Sequence, residues 1–461
     1  MLKKFNAVLK SKKIKYFYYG IISLLLTTTL IVFLAYQFYL VPNVESYKQK
    51  IENFIEKETG GTAEIKTLNV LWNITNPKFQ IRNFSITDKD NNKTIKLNAI
   101  DFEISWLSLI KFEPVLNQII VGDIDILVER TLDNKFKVAG IEIIESSNSN
   151  LSDWLLNQSE IRIINGKVTW RDHARDAEDL IISAINFTYT SPAYLSYLDR
   201  HKFNLNALLS QGTKERIYLN GFFDLDKISR LEEVNANISQ AFLTSFKPWV
   251  DYPFDLKQGF GDLKLNMTLE KESIGEIKTV FYLENFVGNF NKDQNQHIRI
   301  NELSGNAIFE NHDQRKKIAA TNLNLKTDKL NVKNSGFEII SKNDKAESFK
   351  LKLNQLKLNA IEPLINQFPF FEDLKADIRG FKPNGEVSNL QISWIQEKEM
   401  ILKGMLDGVG ILPYKNLPGF KNLSAKVDIK NDKGLIDLKS NNVALVFDDY
   451  LRAALNFDKL D

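Results

Sequence analysis

Residues 263 to 270 read LKLNMTLE, and apolar and polar residues alternate along this segment without interruption. Leu263, Leu265, Met267 and Leu269 fall on one side of an extended chain, because successive side chains of a strand point in opposite directions. A period of two therefore predicts a strand with one apolar face and one wet face. Such alternation is typical of antiparallel sheets, because parallel strands buried on both faces read as continuous apolar runs.

The same alternation recurs along much of the chain after Gly61. It is shared by three further sets: Phe79 and Ile81; Ile124, Ile126 and Val128; and Phe349, Leu351 and Leu353. After Leu353 the apolar positions switch to Leu356 and Leu358, which predicts a turn or bulge at residues 354–355. The sequence thus predicts a mostly β protein. Alternation does not distinguish an open apolar surface from the closed core of a sandwich or barrel.

Short inserts with clustered apolar residues interrupt the strands, and they are too few and too short to cover a sheet. The candidates for helical or irregular inserts are Glu103 to Phe112, Leu151 to Gln158, Ala241 to Val250 and Ile361 to Phe371. A weak repeat is also present, because LSGNAIF at residues 303–309 matches LSAKVDI at 423–429. At the same offset, Asn322, Leu323 and Leu325 match Asn442, Val443 and Leu445. The repeat indicates a β-unit used more than once in an elongated structure.

An amphipathic helix is predicted at residues 41–60. Its apolar positions are spaced by three and four residues, and Gly60 and Gly61 follow as a stop signal. The apolar stripe consists of Val44, Tyr47, Ile51, Phe54 and Ile55. The helix could lie on a bilayer or cap the end of the sheet. We favour the cap, because the stripe is short and the opposite face carries both charge signs.

The N-terminus has the pattern of a membrane anchor. Lysines 3, 4, 10, 12, 13 and 15 precede YFYYGIISLLLTTTLIVFLAYQFYL at residues 16–40, with aromatic residues at both ends. As a helix this run would be about 37 Å long against a hydrocarbon core of roughly 30 Å. The lysines predict a cytoplasmic N-terminus. The alternative is a cleaved signal peptide, but its apolar region would be shorter and followed by small residues.

Composition excludes several classes of function. The chain has 461 residues with 43% hydrophobic and 26% charged residues, and its net charge is +2, which argues against nucleic-acid binding. It has no cysteine, and its four histidines show no metal-ligand spacing, so we expect no metal and no cofactor. The segment Arg171-Asp172-His173 directly follows a strand, and no nucleophile accompanies it. We interpret this segment as a solvated turn. We therefore predict a protein that is not an enzyme.

A family resemblance runs along the whole chain. It is carried by the anchor, the helix from Pro42 to Gly61, and the segments Leu68 to Phe84, Val168 to Asp172, Trp249 to Leu263, Pro383 to Trp394 and Asn416 to Ala425. In this order the segments resemble the start of the YhdP family of AsmA-like proteins. The resemblance implies a bridge-like lipid carrier of Gram-negative bacteria, held in the inner membrane and crossing the periplasm as an elongated, curled antiparallel β-sheet groove.

What the resemblance implies for this chain is phospholipid transport toward the outer membrane. The four alternating sets would line the groove and contact acyl chains, and a periplasmic or outer-membrane protein could act as partner. Residues 1–15 would be a cytoplasmic tail, 16–40 the transmembrane helix, 41–60 the juxtamembrane helix and 61–461 the periplasmic groove domain. Family members are longer, so we expect an N-terminal portion or a truncated member.

Elementary energetics agrees with a groove. Moving an acyl chain of about 16 carbons from a bilayer into water costs roughly 12 kcal/mol, at about 0.8 kcal/mol per methylene. A continuous apolar surface would lower that barrier without any catalytic group. The alternative is an envelope scaffold whose β-domain has a closed core and binds a protein partner.

Overall fold

The structure is a computed structural model of the chain. It describes residues 12–35, 37–38, 41–59, 61–72, 76–87, 94–105, 107–108, 114–138, 141–142, 154–175, 177–191, 200–209, 215–224, 230–248, 252, 255–270, 273–289, 297–312, 314–343, 345–366, 372–447 and 453–461. By its contacts the chain divides into two compact units: Met1–Val128 with Lys135–Gly166, and Glu129–Asn134 with Lys167–Asp461. The protein is mostly β, since strands make up 68% of the described residues.

Twenty-four strands occur in the described residues. The first eight are β1 Thr62–Trp72, β2 Pro77–Thr87, β3 Thr94–Ile104, β4 Leu116–Gly122, β5 Asp125–Arg130, β6 Phe136–Val138, β7 Ile141–Glu142 and β8 Glu160–Asp172. The next eight are β9 Leu180–Thr190, β10 Arg200–Leu209, β11 Arg216–Asp224, β12 Arg230–Phe242, β13 Asp255–Glu270, β14 Ser273–Asn289, β15 Ile298–His312 and β16 Arg315–Lys326. The last eight are β17 Asn331–Lys342, β18 Lys345–Lys357, β19 Asn384–Ile395, β20 Glu399–Ile411, β21 Gly419–Lys430, β22 Lys433–Leu438, β23 Ser440–Val446 and β24 Leu455–Leu460.

Helices are few. The α-helices are α1 Lys12–Ala35, α2 Val44–Thr59, α3 Ile361–Ile365 and α4 Glu372–Phe381, and 3-10 turns lie at Val41–Asn43, Leu243–Phe246 and Leu358–Ala360. Within the described ranges, no helix has both the length and the apolar character that crossing a membrane requires. The transmembrane helix expected at 16–40 therefore has no support from the structure, and residues 36 and 39–40 of that segment lie outside the described ranges.

Helix α2 lies over the first strands of the first unit. Its apolar stripe packs on a buried core formed by residues of β1 and β2: Ala63, Ile65, Leu68, Phe79, Ile81 and Phe84. The helix residues in this contact are Val44, Tyr47, Ile51 and Ile55. Phe54 instead meets Trp154 edge to face, with ring centroids 5.7 Å apart. The stripe of the helix and the apolar face of the strands thus cover each other.

Two carboxylates of α2 bond to the backbone of β1. Glu52 Oε1 accepts a hydrogen bond from the amide of Ile65 at 2.7 Å, and Glu56 Oε1 accepts one from the amide of Ala63 at 3.0 Å. In the described chain β1 pairs with β2 alone. Its alternate amides would otherwise lie buried at the sheet edge without a protein acceptor, which is costly. The helix therefore satisfies the strand edge as well as its apolar face.

We expect Glu52→Ala to lower the free energy of unfolding of the first unit by about 1 to 3 kcal/mol, because the amide of Ile65 loses its acceptor. Urea denaturation followed by hydrogen exchange at Ala63 and Ile65 would measure the loss. Glu45→Ala is the matched control, since Glu45 is exposed on the same helix and pairs with Lys48 within it. Equal stability of the two variants would contradict the role given to Glu52.

One strand pair of the first unit departs from the predicted antiparallel sheet. Strands β4 and β8 run parallel, with Ile119 opposite Ile161 and Val121 opposite Ile163. Parallel neighbours require a long connection, and residues 123–159 supply it. The sheet is therefore mixed.

The second unit is an antiparallel meander. Each strand from β9 to β21 pairs with the next one along the chain. Tight hairpins such as Lys342/Lys345 and Lys430/Lys433 join strands at one margin of this sheet. The helical turn at Leu243–Phe246 and helices α3 and α4 join strands at the opposite margin. These helical segments fall within or directly after two of the four predicted inserts, while the other two contain helical residues 107–108 and 154–156.

Candidate functional site

A row of apolar side chains crosses the second unit from strand to strand. Residues directly opposite each other in an antiparallel pair lie on the same face of the sheet, so the register can be followed across all thirteen strands from β9 to β21. The first row is Phe187, Leu205, Leu219, Ala236, Leu265, Thr279, Ala307, Ala320, Phe337, Leu351, Ile392, Leu402 and Ile429. Thr279 is its one polar member, and none is charged.

A second row runs parallel to the first, two residues along each strand, from β9 to β20. It consists of Tyr189, Phe203, Gly221, Val234, Met267, Ile277, Phe309, Ile318, Ile339, Phe349, Trp394 and Met400. Gly221 has no room for a side chain, because an added Cβ would lie 2.8 Å from the ring of Phe203. We call the two rows together the apolar track.

The second row is partly open to solvent. Ile318 is 48% exposed, Met400 47%, Ile339 37% and Trp394 36%. Large apolar side chains that are this exposed and lie on neighbouring strands are typical of a surface that binds another apolar group. The track is therefore the candidate functional site.

At its first strands the track is more enclosed. Tyr189 and His201 are buried, their rings stack at 5.8 Å, and the Tyr189 hydroxyl lies 2.6 Å from His201 Nδ1. Burial raises the pKa of Tyr189 to about 12. Phe223 stacks on His201 at 5.5 Å and extends the aromatic group. This end of the track is closed by aromatic side chains of β9, β10 and β11.

The opposite face of the same strands carries mostly polar side chains, with exposed apolar residues such as Val280 and Tyr218 among them. Asn204, Asn220, Asn235 and Asn266 stand opposite one another on four neighbouring strands, and Lys278 follows on the fifth. Asn235 Nδ2 donates to Asn220 Oδ1 at 3.1 Å, and Asn266 Nδ2 donates to Asn235 Oδ1 at 2.7 Å. A cleft of about 610 Å³ on β16 to β19 also carries polar-face residues, among them the ion pair of Glu338 and Lys350.

The structure brings together two of the alternating sets that the sequence singled out. Leu265 belongs to the first row and Met267 to the second, as do Leu351 and Phe349 five strands away. The remaining members of these sets flank the rows: Leu263 stands opposite Phe281, Leu269 opposite Ile274, and Leu353 opposite Leu390.

The other two sets lie in different surroundings. Phe79 and Ile81 are 4% and 3% exposed in the core under α2, so packing against the helix occupies the face that was expected to line a groove. Ile126 and Val128 are half-buried on β5, and Ile124 directly precedes that strand. We leave all five residues out of the track.

A line of bulges crosses the second unit, and the change of parity after Leu353 is the one feature of the sequence from which a bulge was predicted. The bulged positions have left-handed backbone conformations, with φ between 46° and 56°: Ala184, Gln240, Asn285, Asn322, Asn334, Asn389 and Gly408. At each of them the strand register shifts. At Asn322, for example, residues 322–323 of β16 together oppose Gly305 of β15.

The bulges at Asn334 and Asn389 flank the predicted change of parity after Leu353, because both lie on strands next to β18. Leu353 and Leu356 both pack with the buried cluster of Leu330, Val332 and Ala360, although they are three residues apart. Strand β18 continues through both and pairs with β19 in one register, so no turn occurs there. Asn389, on the neighbouring strand, has φ 50°. The sequence repeat includes a left-handed position of the same kind, because the matching Asn322 and Asn442 have φ 51° and 53°.

Beyond the line of bulges the apolar face is covered. Leu256, Phe286, Ile298 and Ile300 form one buried cluster, and Leu330 and Val332 belong to another. Leu243, Tyr252 and Leu364 from the inserts pack on these clusters. The second unit thus has a covered half and an open half on one apolar face.

The charged segment at Arg171 to His173 leads into the predicted exposed turn, since β8 ends at Asp172 and residues 173–175 form a turn, and its side chains also form ion pairs. Asp172 is 4% exposed, and its Oδ2 lies 2.9 Å from Arg130 Nη2 in an ion pair. Arg171 Nη2 donates to Asp179 at 2.7 Å, and this hydrogen bond lowers the pKa of the Asp179 carboxyl. Each acid is held by an arginine, which favours a structural role. Among the described residues, no group of His, Asp or Glu side chains is arranged to hold a metal ion.

A family model described as YhdP protein matches residues 8–461, nearly the whole chain. No curated protein and no solved structure gives a significant match.

Proposed function

The chain belongs to the YhdP family, and from this membership and the open apolar track we propose that it moves phospholipid, with the acyl chains lying on the track. Family membership and an open β-sheet together fit a lipid-transfer surface. The single observation that carries the proposal is the pair of rows, in which twelve or more consecutive strands each contribute a residue and none contributes a charge.

The size of the track suits acyl chains. Neighbouring strands lie about 4.8 Å apart, so the twelve steps from β9 to β21 span roughly 57 Å along the sheet. Along that path a methylene group meets side chains instead of water, and each methylene kept out of water is worth about 0.8 kcal/mol. The headgroup would stay in water at the open side of the track. Transfer along such a surface requires no catalytic group.

The cellular setting of the proposal rests on the sequence. The uncharged run at residues 16–40 and the lysines before it support attachment to a bacterial inner membrane with the bulk of the chain in the periplasm. Transport would then run toward the outer membrane, with a periplasmic or outer-membrane protein as receiving partner. Carbonate extraction of membranes from cells expressing the full chain, beside a variant that lacks residues 1–40, tests the attachment. Release of both into the soluble fraction would contradict it.

Lipid analysis tests the proposed function. The full chain would be purified in a detergent that exchanges readily and then returned to detergent-free buffer, and bound lipid would be extracted and identified by mass spectrometry. We expect phospholipid in stoichiometric or greater amounts. A chain free of lipid, and unable to bind added phospholipid vesicles, would favour the alternative of an envelope scaffold that binds a protein partner.

A further inference from the structure

Left-handed residues occur on seven of the twelve strands from β9 to β20, in a staggered band on the side of the sheet that is nearer to the helical inserts. Most are asparagines, and asparagine is the residue with a side chain that tolerates positive φ best. A left-handed residue within a strand also interrupts the regular ladder and bends the strand locally. Because the same costly conformation occurs on at least seven strands between β9 and β20, the conformation has a common role in this sheet.

The role follows from what each bulge does to the side chains. One extra residue reverses the relation between sequence parity and sheet face. On β17 the apolar residues Val332, Phe337 and Ile339 would fall on both faces of a regular strand, but the bulge at Asn334 keeps them on one. On β14, Ile277 and Phe286 are related in the same way across Asn285. The bulges therefore keep the whole apolar face continuous while marking a line across it.

The apolar side chains on the two sides of that line differ in how far other parts of the protein cover them. On one side lie the buried clusters with Leu256 and Val332, packed by side chains from the inserts. On the other side lie Ile318, Ile339 and Met400, each more than a third exposed. The inserts and the covered side share one margin of the sheet, whereas the tight hairpins share the margin next to the open side.

We infer that the line of left-handed residues divides the apolar face of the second unit into a covered half and an accessible half, and that it holds acyl chains on the accessible half. The asparagines are then positioning residues, because they touch no lipid and set which apolar side chains do. The division by itself is independent of any ligand. Its second part, concerning acyl chains, rests on the proposed function.

Single-cysteine reporters test the division, because the natural sequence contains no cysteine. Ile318→Cys and Met400→Cys report on the accessible half, and Val332→Cys and Val387→Cys report on the covered half, where both valines are 8% exposed. We expect a water-soluble maleimide to label the first pair at least tenfold faster than the second in the folded full chain. Equal rates at all four positions would overturn the division.

The same four positions test where acyl chains lie. A photoreactive residue would replace each side chain in turn, and phospholipid vesicles would be added before illumination. We expect lipid adducts at residues 318 and 400 and none at residues 332 and 387. Adducts of equal yield on both sides would overturn the inference. A protected covered half with no lipid adduct at any position would support the division and count against the proposed function alone.

Variants of Asn334 test whether the asparagines set the boundary. In the Val332→Cys background, Asn334→Gly should keep the cysteine protected, because glycine adopts positive φ without strain. Asn334→Val should raise its labelling rate roughly tenfold, because a β-branched residue at this φ is strongly disfavoured. Asn331→Val is the control on the same strand, since Asn331 is exposed and has no positive φ. Equal labelling in all three variants would show that Asn334 plays no positioning role.

Discussion

Met267→Asp is expected to reduce the lipid recovered with the full chain by at least tenfold. Met267 lies in the second row between Val234 and Ile277, so the substitution places a carboxylate in the middle of the track. A carboxylate at the centre of a hydrocarbon layer costs roughly 2.5 to 3.5 kcal/mol. Met267 is only half-buried, and about 1.4 kcal/mol already corresponds to a tenfold change in binding. Quantitative lipid mass spectrometry against the unmodified protein measures the effect.

Lys264→Asp is the matched control for that experiment. Lys264 is exposed on the polar face of the same strand, opposite Asn237 and Val280. Its variant should bind lipid like the unmodified chain, and circular dichroism should show that both variants remain folded. Should folded Met267→Asp retain the normal amount of lipid, the track would not be the path of the acyl chains.

Leu256→Ala is expected to lower the free energy of unfolding of the second unit by about 2 to 5 kcal/mol, the range for a large-to-small change in a packed core. Leu256 is 0% exposed and packs with Phe286, Ile298 and Ile300. The cost includes both the lost apolar burial and the cavity left among these neighbours. Urea denaturation followed by circular dichroism measures it, with hydrogen exchange on β13 and β14 to assign the change to this unit.

Leu435→Ala provides the comparison, because Leu435 is 69% exposed on β22. A substitution there should change the free energy of unfolding by less than about 0.5 kcal/mol. If the two variants unfold at the same urea concentration, the covered half of the face is not the packed core described above.

The period of two in the sequence was sufficient to predict many of the strands and, on the open side of the line of bulges, the faces on which their side chains lie. Leu265 and Met267, like Leu351 and Phe349, lie on the apolar face of antiparallel strands as the alternation indicated. The sequence could not show that these distant segments belong to one track, because register between strands depends on tertiary pairing. That information is carried by the hairpins and bulges between them.

Alternation alone could not predict which part of the protein covers an apolar strand face. Phe79 and Ile81 show the same pattern as Leu351 and Phe349, yet they lie under α2 while the latter belong to the track. Their hydropathy is similar, and the difference comes from a helix that packs from elsewhere in the chain. The amphipathic stripe of residues 44–55 gave the one available signal, because an apolar stripe needs an apolar partner.

The sequence also contains a signal for the line of bulges. Several strands contain asparagine directly before an apolar residue, as in Asn285-Phe286, Asn322-Leu323 and Asn389-Leu390. Asparagine is depleted in strands and tolerates a left-handed backbone, so its recurrence before an apolar residue is a signal of a bulge. The parallel pairing of β4 and β8 left no comparable trace, because strand direction is decided by the long connection between them and not by their own residues.

The carboxylates that α2 places against β1 also bear on how this protein behaves at high concentration. A bare outer strand can recruit the outer strand of another molecule and so seed polymers. Glu52 and Glu56 fill two of the backbone positions that such recruitment would need, and they add negative charge where the incoming strand would dock. An incoming strand would therefore find two of the β1 amides already bonded and would meet two carboxylates, which hinders pairing at this edge.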